Sequence, residues 1–350
     1  MTLRVDRRLL LQGGSALAIA ALLPGCATSR GRSPNPALIS EVPRSDYGFA
    51  TTCDDVAAGY DLSGKTILIT GCNSGLGYES MRTLASRGAH VIGTARTLEK
   101  AQQACSSVEG QTTPLVCELT DMDSVAACAI ATDELLNKSN KHLDVLMCNA
   151  GIMALPKLEQ VDVNGVTLEK QFVVNHLGHY LLTRNLLPQV EAAAGRVVML
   201  SSTGYSLAPA EGIQFDNLSA AVKYKSFSAY GQTKLSNALF ADEVARRYAN
   251  TGLTSNSVHP GIVATNLGRY MSSKPRDPNK PLRKGFKNPA QGAATQVYVA
   301  IDSRLAGVTG YYFEDCNPSA MTGPHAENEA LALKLWNVSA QLVKPWLSST

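Results

Sequence analysis

Tyr230-Gly231-Gln232-Thr233-Lys234 sets a phenol and an ammonium four residues apart, in a helical pattern that runs to about residue 249. Positions i and i+4 share a helix face, so the two side chains point the same way. A phenol with pKa ~10 is a poor base at neutral pH. A neighbouring ammonium stabilises the phenolate, lowers that pKa and brings proton exchange into range. The spacing alone is common and carries little weight. Ser201-Ser202 follows the apolar run at 197–200, and a hydroxyl there can hydrogen-bond a substrate oxygen.

A second group of residues suits an anion. Thr70-Gly71-Cys72-Asn73-Ser74-Gly75-Leu76-Gly77 lies between a strand pattern and a helix pattern, with the spacing Gly-x-x-x-Gly-x-Gly. Glycines there let the backbone turn tightly and approach a pyrophosphate, which the free N–H groups of the next helix attract. The second strand pattern ends at Thr94-Ala95-Arg96, where a site that prefers NAD usually places an acid for the ribose 2′-hydroxyl. Arg96 instead offers a planar fork to a 2′-phosphate, with Lys100 one turn on, which favours NADP; the other reading is a solvated arginine. Cys148-Asn149-Ala150-Gly151 follows the fourth strand pattern, and its small residues let a loop lie against a ribose. Asn149 also suits a simple turn.

These groups need a scaffold that brings strand ends together. From residue 61, short β-branched runs at 66–70, 90–94, 115–117, 145–148, 197–200, 254–258 and 311–313 alternate with segments of helix length. Such alternation predicts an α/β fold: a single Rossmann-type, doubly wound parallel sheet of about seven strands with helices on both faces. Ligands of such sheets bind beyond the C-terminal strand ends, where the strand order reverses. No internal repeat or composition break divides the region, so 59–350 reads as one domain.

Composition narrows the function further. The 350 residues are 45% hydrophobic and 17% charged, which is globular and excludes a disordered or multi-span membrane chain. A net charge of +3 falls close to neutral once three Arg and one Asp of the leader are set aside, which argues against nucleic-acid binding. None of the eight cysteines forms a CxxC pair, so they read as small buried apolar residues rather than as metal or redox ligands.

The N-terminus carries an address. Arg4, Arg7 and Arg8 precede an apolar run over 9–23 that is short for a spanning helix and suits an export signal. Arg7-Arg8 resembles a twin-arginine signal, and Leu23-Pro24-Gly25-Cys26 resembles a lipoprotein cleavage box that would tether the mature chain to a membrane through Cys26. Residues 1–26 are therefore expected to be an exported leader, giving a periplasmic, membrane-tethered protein. An uncleaved apolar tail and a cytoplasmic location form one alternative. A chloroplast transit peptide is another, although the segment is poor in Ser and contains Asp6. Residues 27–58 read as a polar linker with Pro34, Pro36 and Pro43.

Taken together, the sequence resembles the short-chain dehydrogenase/reductase family. TGCNSGLG at 70–77, CNAG at 148–151, Asn175 in VNHLGHYLL, VVMLSS at 197–202, YGQTK at 230–234 and HPGIVATNL at 259–267 occur in family order. EGIQFDNL at 211–218, QGAATQVYVA at 291–300 and GVTGYYFEDCN at 307–317 resemble the branch containing retinol dehydrogenases, WW-domain oxidoreductase and a chloroplast envelope dehydrogenase.

The resemblance implies an NADP-dependent oxidoreductase moving a hydride between nicotinamide and a carbonyl or alcohol substrate, largely apolar. It makes Tyr230 the acid/base, and gives Lys234 the lowering of its pKa and a bond to the nicotinamide ribose. Ser202, with Ser201 as the alternative, would orient the substrate oxygen. Asn175 would hold a water linking Lys234 to solvent, or be a helix-surface amide. Gly71, Asn73, Ser74, Gly75, Leu76, Gly77, Asn149, Ala150 and Gly151 would line the dinucleotide. Pro260, Gly261 and Thr265 would lie beside the nicotinamide and its phosphates. The resemblance also implies dimers or tetramers in many members. A rival reading from another class is a dinucleotide-sensing scaffold at a membrane.

Two departures stand out. Glu118, followed by Leu119, occupies the place of an aspartate beside the adenine. Residues 266–288 carry Arg269, Lys274, Arg276, Lys280, Arg283, Lys284 and Lys287 against Asp277, where retinol enzymes tend to be apolar. That run reads as a solvated face, or as a site for an anionic substrate tail or anionic lipid.

Overall fold

The computed structural model describes residues 39–270 and 281–348. The leader with Cys26, the first part of the linker, and Lys274, Arg276, Asp277 and Lys280 lie outside the described residues.

The strands in chain order are β1 (Thr66–Ile69), β2 (His90–Ala95), β3 (Thr112–Val116), β4 (Val145–Cys148), β5 (Gln160–Val163), β6 (Val166–Glu169), β7 (Arg196–Leu200), β8 (Thr254–His259), β9 (Tyr312–Glu314) and β10 (Asn317–Ser319). Eight of them form one sheet in the order β10-β9-β8-β7-β4-β1-β2-β3. Every neighbouring pair is parallel except β9–β10. The chain moves outward from β1 to β3 and then resumes at β4 on the other side of β1. The order therefore reverses between β1 and β4, the place where sheets of this topology bind their ligands.

Seven parallel strands carry the sheet, and the short antiparallel β10 makes an eighth. The third strand begins three residues before its expected start. Its Pro114 is tolerated because β3 is an edge strand. A separate hairpin, β5–β6, turns at Asn164-Gly165 with φ of 54° and 76°.

The helices are α1 (Cys53–Ala57), α2 (Gly75–Ser86), α3 (Leu98–Ser106), α4 (Met122–Ser139), α5 (Gly178–Ala192), α6 (Ser226–Arg247), α7 (Pro289–Ile301) and α8 (Glu329–Leu342). Alternation along β1 serves both layers. Leu68 joins the core that holds Leu181, Leu186 and Phe240; Ile67 and Ile69 join the core that holds Met81, Leu84 and Val297.

The linker expected through residue 58 is corrected over its described part. Val42, Cys53, Val56 and Ala57 are buried in the second core, and α1 packs on α7. A capping box starts α1: the Thr52 side chain accepts from the Asp55 N–H, and the Asp55 carboxylate accepts from the Thr52 N–H at 2.8 Å. A few well-placed apolar residues in a polar stretch thus suffice to fold it. Among the described residues, no helix is long and apolar enough to cross a membrane.

Candidate active site

Burial and hydrogen bonding fix α6 against the end of β7. Tyr230 and Lys234 are both buried. The Lys234 ammonium donates to the Leu200 carbonyl at 3.0 Å and lies 5.6 Å from the centre of the Tyr230 ring. The Asn237 amide donates to the same carbonyl at 2.9 Å. Ser201 is also buried, and its hydroxyl donates to the Lys234 carbonyl at 2.7 Å, so it braces the helix. Ser202 starts the turn Thr203–Leu207 and accepts from the Gly204 N–H at 3.0 Å. Of the two serines, Ser202 is the one beside the phenol. Sequence reasoning missed Gly204 and assigned Gly231 no role: a Cβ at Gly204 would lie 2.9 Å from Tyr230 Cε1, and one at Gly231 would lie 2.6 Å from the Ala208 nitrogen.

Burial pushes the Tyr230 phenol up to about 12, while the Ser202 hydroxyl pulls it the other way. Burial likewise pushes Lys234 down to about 8. The expected lowering of the phenol by the ammonium is therefore not the balance struck in the chain alone. Loss of water around the ring dominates, and the ammonium is engaged by Leu200.

Asn175 is fully buried, which corrects the surface-amide alternative. It sits in a π-helical turn, Val173–Leu177, that leads into α5. Its side-chain oxygen accepts from the Ile152 N–H at 2.8 Å. Its amide donates to the Ile152 carbonyl at 2.9 Å and to Thr233 Oγ1 at 3.0 Å. His179, unassigned by sequence, joins this group to the glycine turn. Thr70 Oγ1 accepts from the N–H groups of Asn149 and Ala150, both at 2.9 Å, so its proton goes to His179 Nε2 at 2.8 Å. The remaining ring proton on Nδ1 then reaches the Asn175 carbonyl at 3.0 Å. Burial holds His179 down to about 4, which keeps the ring neutral as this pattern needs.

The glycine turn brings main chain too close to main chain for side chains at its key positions. Gly71 and Gly75 have φ of 74° and 61°, and a Cβ at Gly77 would lie 2.3 Å from the Gly71 carbonyl oxygen. Ser74, the first residue before α2, makes no side-chain cap bond, so the helix N–H groups are not capped by it. Asn73 and Ser74 are exposed at the same place. That donor set fits a dinucleotide pyrophosphate. Leu76 packs towards α7, where a Cβ at Gly292 would come within 2.6 Å of it. The Asn149 amide donates to the Thr70 carbonyl at 2.8 Å, so it staples two strand ends together rather than only shaping a turn. A Cβ at Gly151 would meet Asn175 Oδ1 at 3.2 Å, and one at Gly75 would meet Thr265 at 3.4 Å. Pro260 and Gly261 follow β8, with Gly261 at φ 89°.

Arg96 is exposed just past β2, with Lys100 exposed in α3; neither has an ion-pair partner among the described residues. The Glu118 carboxylate accepts from the Thr120 N–H and hydroxyl at 3.1 and 2.8 Å, which turns it into its own loop. Leu119 is buried beneath. Arg269, Arg283 and Lys284 are exposed, as a solvated face requires. Lys287 is not: it is buried and paired with Asp315 at 2.5 Å. Among the described residues no three His, Cys, Asp or Glu side chains are placed to hold a metal, and seven cysteines are buried and unpaired.

A phenol, an ammonium and a hydroxyl at one end of a parallel sheet that also carries a strand–glycine turn–helix unit define a dehydrogenase of the Rossmann type. Residues 65–276 match the short chain dehydrogenase family model, and the chain belongs to that family. It is similar to the short-chain dehydrogenase TIC 32 B, chloroplastic, of Brassica napus, at 38% identity over 311 residues, covering 86% of this chain and 95% of that one. Retinol dehydrogenase 14 of Homo sapiens is 38% identical over 303 residues, covering 81% and 87%. These relatives place the chain in the retinol dehydrogenase-like branch, as an oxidoreductase of a family that binds NAD(P). Among solved structures, an uncharacterised protein from Mycobacterium paratuberculosis has a TM-score of 0.63 at 31% identity, covering 83% of this chain and 97% of that one.

Proposed function

We propose that this oxidoreductase uses NADP to interconvert a carbonyl and an alcohol on a largely apolar small molecule, with Tyr230 as acid/base. The observation that carries the reading is the meeting of Tyr230, Ser202 and Lys234 at the end of β7, beside the strand ends that hold the glycine turn. Bound nicotinamide would supply or accept the hydride. Tyr230 gives its proton to the substrate oxygen in reduction and takes one in oxidation. Ser202 holds that oxygen. Lys234, held near 8 by burial, is poised to exchange a proton close to neutral pH. Gly71, Gly75 and Gly77 receive the pyrophosphate, and 260–265 flank the nicotinamide. Arg96 and Lys100 support the 2′-phosphate and hence NADP over NAD.

The retinol dehydrogenase relatives support an apolar alcohol or aldehyde. Leu207 and Ile262, 49% and 59% exposed on the loops after β7 and β8, suit such a substrate. The reading also keeps 1–26 as an exported leader that ends in an acylated Cys26, supported by Arg7-Arg8 and the apolar run after them. Mass spectrometry of the mature N-terminus tests this, and an unprocessed Met1 would overturn it.

The test of function is turnover of NADPH and NADH against a panel of carbonyls and alcohols, with wild type and Tyr230→Phe. Wild type should turn over with NADPH, and the variant should bind NADPH yet be inactive. Undiminished turnover in the variant sinks the mechanism. A null screen with dinucleotide-dependent capture of a partner would favour the scaffold instead.

A further inference from the structure

Among the described residues, Lys287 is the largest fully buried charged side chain, 1% exposed, and the proposed reaction leaves it unused. Its main chain grips the segment after β8. The Lys287 N–H donates to the Ile262 carbonyl at 2.8 Å, and its carbonyl accepts from the Ala264 N–H at 3.0 Å, forming a parallel bridge with Val263. Its side chain crosses Gly261: a Cβ added there would meet Lys287 Cδ at 2.9 Å and Cε at 3.0 Å. The ammonium ends on Asp315 Oδ1 at 2.5 Å. Asp315 has a left-handed φ of 49° and follows Glu314, which is in register with His259. One side chain therefore ties the turns after β8 and β9 together.

The N-terminal strap covers this tie. The Phe49 ring lies over the Lys287 ammonium, 5.4 Å from ring centre to nitrogen, although Phe49 is 46% exposed. Ser45 donates its hydroxyl proton to the Cys316 carbonyl at 2.8 Å, and its N–H to Asn317 Oδ1 at 3.0 Å. Asn317 in turn donates to the Tyr47 carbonyl at 3.0 Å. Gln291 donates to the Ala50 carbonyl at 3.2 Å. These bonds hold 45–50 in place and set the aromatic face on the cation. A buried ammonium persists when it is paired and when its remaining faces meet a carboxylate or a π-system. Gly261, at φ 89°, has no side chain with which to hold its own turn.

We infer that Lys287 is a positioning residue for the nicotinamide half of the dinucleotide site, and that Phe49 on the N-terminal strap is its outer wall. The inference rests on the proposed place of 260–265 beside the nicotinamide. Phe49, Lys287 and Asp315 all fall outside the matched residues 65–276, so the flanks of the domain complete a turn that lies inside it.

The experiment is a titration of the full chain with NADPH, followed by fluorescence, and with 2′,5′-ADP, followed by calorimetry. Wild type, Phe49→Ala and Lys287→Met are compared, with Phe49→Trp as the conservative variant. Lys287→Met should weaken NADPH binding about tenfold and Phe49→Ala about threefold, as expected for loss of a buried ion pair and of a cation–π contact. Both should leave 2′,5′-ADP binding within about twofold, because that ligand lacks the nicotinamide half; Phe49→Trp should restore NADPH binding. Unchanged NADPH affinity in both variants overturns the inference while sparing the proposed function. Equal loss of both ligands also overturns it, since that marks general loosening. Failure of wild type to bind either ligand overturns the proposed function and this inference with it.

Discussion

The Ser201 hydroxyl donates to the main-chain carbonyl of Lys234 at 2.7 Å, so the serine next to Ser202 braces the helix from behind. The two serines should part company on substitution. Ser201→Ala should cost about 1 kcal/mol of stability, the net worth of one neutral hydrogen bond, with a modest change in turnover. Ser202→Ala gives up the cap bond from the Gly204 N–H and should cost a similar amount of stability, about 1 kcal/mol, but it should lower kcat by roughly a hundredfold or more, as loss of a group that orients the reacting oxygen does. Urea denaturation and steady-state rates on the same samples check this. A large loss of turnover in Ser201→Ala with none in Ser202→Ala would reverse the assignment.

Cofactor choice should depend on Arg96. Charge-assisted hydrogen bonds to a phosphate are worth about 1.5–3 kcal/mol, so Arg96→Ala should lower the preference for NADPH over NADH by roughly tenfold to a hundredfold. The ratio of kcat/KM values for the two reductants is the measurement. A ratio that stays constant would leave Arg96 as a solvated strand-end residue.

The close approach around Tyr230 gives a third expectation. Gly204→Ala places a methyl 2.9 Å from Tyr230 Cε1 and 3.3 Å from Ser202 Oγ, so the ring and hydroxyl must separate. Overpacking of this kind typically costs about 1–3 kcal/mol. The fold should survive with kcat reduced more than NADPH binding. Gly165→Ala is a contrast at the β5–β6 turn: nothing lies within 4 Å of the added atom, but φ there is 76°. It should affect stability alone, as circular-dichroism melts and rate measurements will show.

The parts of the molecule that the sequence makes legible are those with a local rule. Strand–glycine–helix order gives the phosphate turn, and i, i+4 spacing gives the shared face of Tyr230 and Lys234. The β5–β6 hairpin also had a local signal, Asn164-Gly165 between alternating apolar residues, yet it lies outside the strand–helix alternation that frames the sheet. The remainder is tertiary. The strap over 42–52 is polar and unperiodic; tertiary contacts, among them those with Cys316 and Asn317 some 270 residues away, show that it is folded. His179 looks like any helix residue until the π turn at Val173–Leu177 brings its ring between Thr70 and Asn175. Lys287 reads as one more cation in a basic run, because the acid that buries it stands 28 positions further on.

Reaction direction should respond to pH through Tyr230. With its phenol pushed up to about 12 in the chain alone, the residue is protonated at neutral pH and ready to act as an acid. Carbonyl reduction should therefore be steady from pH 6.5 to pH 7.5 by roughly twofold or less, while alcohol oxidation, which needs the phenolate, should climb with pH. Lys234, near 8, should add an inflection to the oxidation profile. Initial rates in both directions across pH 6.5–9.5 provide the check. An oxidation rate that falls with rising pH contradicts a phenolate base.

Acid should destabilise the fold before most carboxylates begin to titrate. Burial holds His176 down to about 3, and His179 and His259 down to about 4. His90 is shifted the same way. In the unfolded chain these rings titrate near ~6.5. Below that pH the unfolded state binds more protons than the folded one, so stability is fully present above ~6.5 and is lost as pH falls towards the folded values. Each ring contributes a slope of up to about 1.4 kcal/mol per pH unit in that window. Most carboxylates contribute below about pH 5, but burial raises Asp242 and Glu169, whose protonation in the fold adds stability as pH falls and so offsets part of the imidazole slope between about 6.5 and 5. His176 donates to or accepts from Ser339 at 2.9 Å and packs against Phe172 and Phe240, so His176→Asn should lower stability at pH 7 yet flatten the acid limb by about one ring's share. Urea denaturation at half-unit intervals measures both effects. An acid limb that is the same in wild type and His176→Asn would mean that this ring is not held neutral inside the fold.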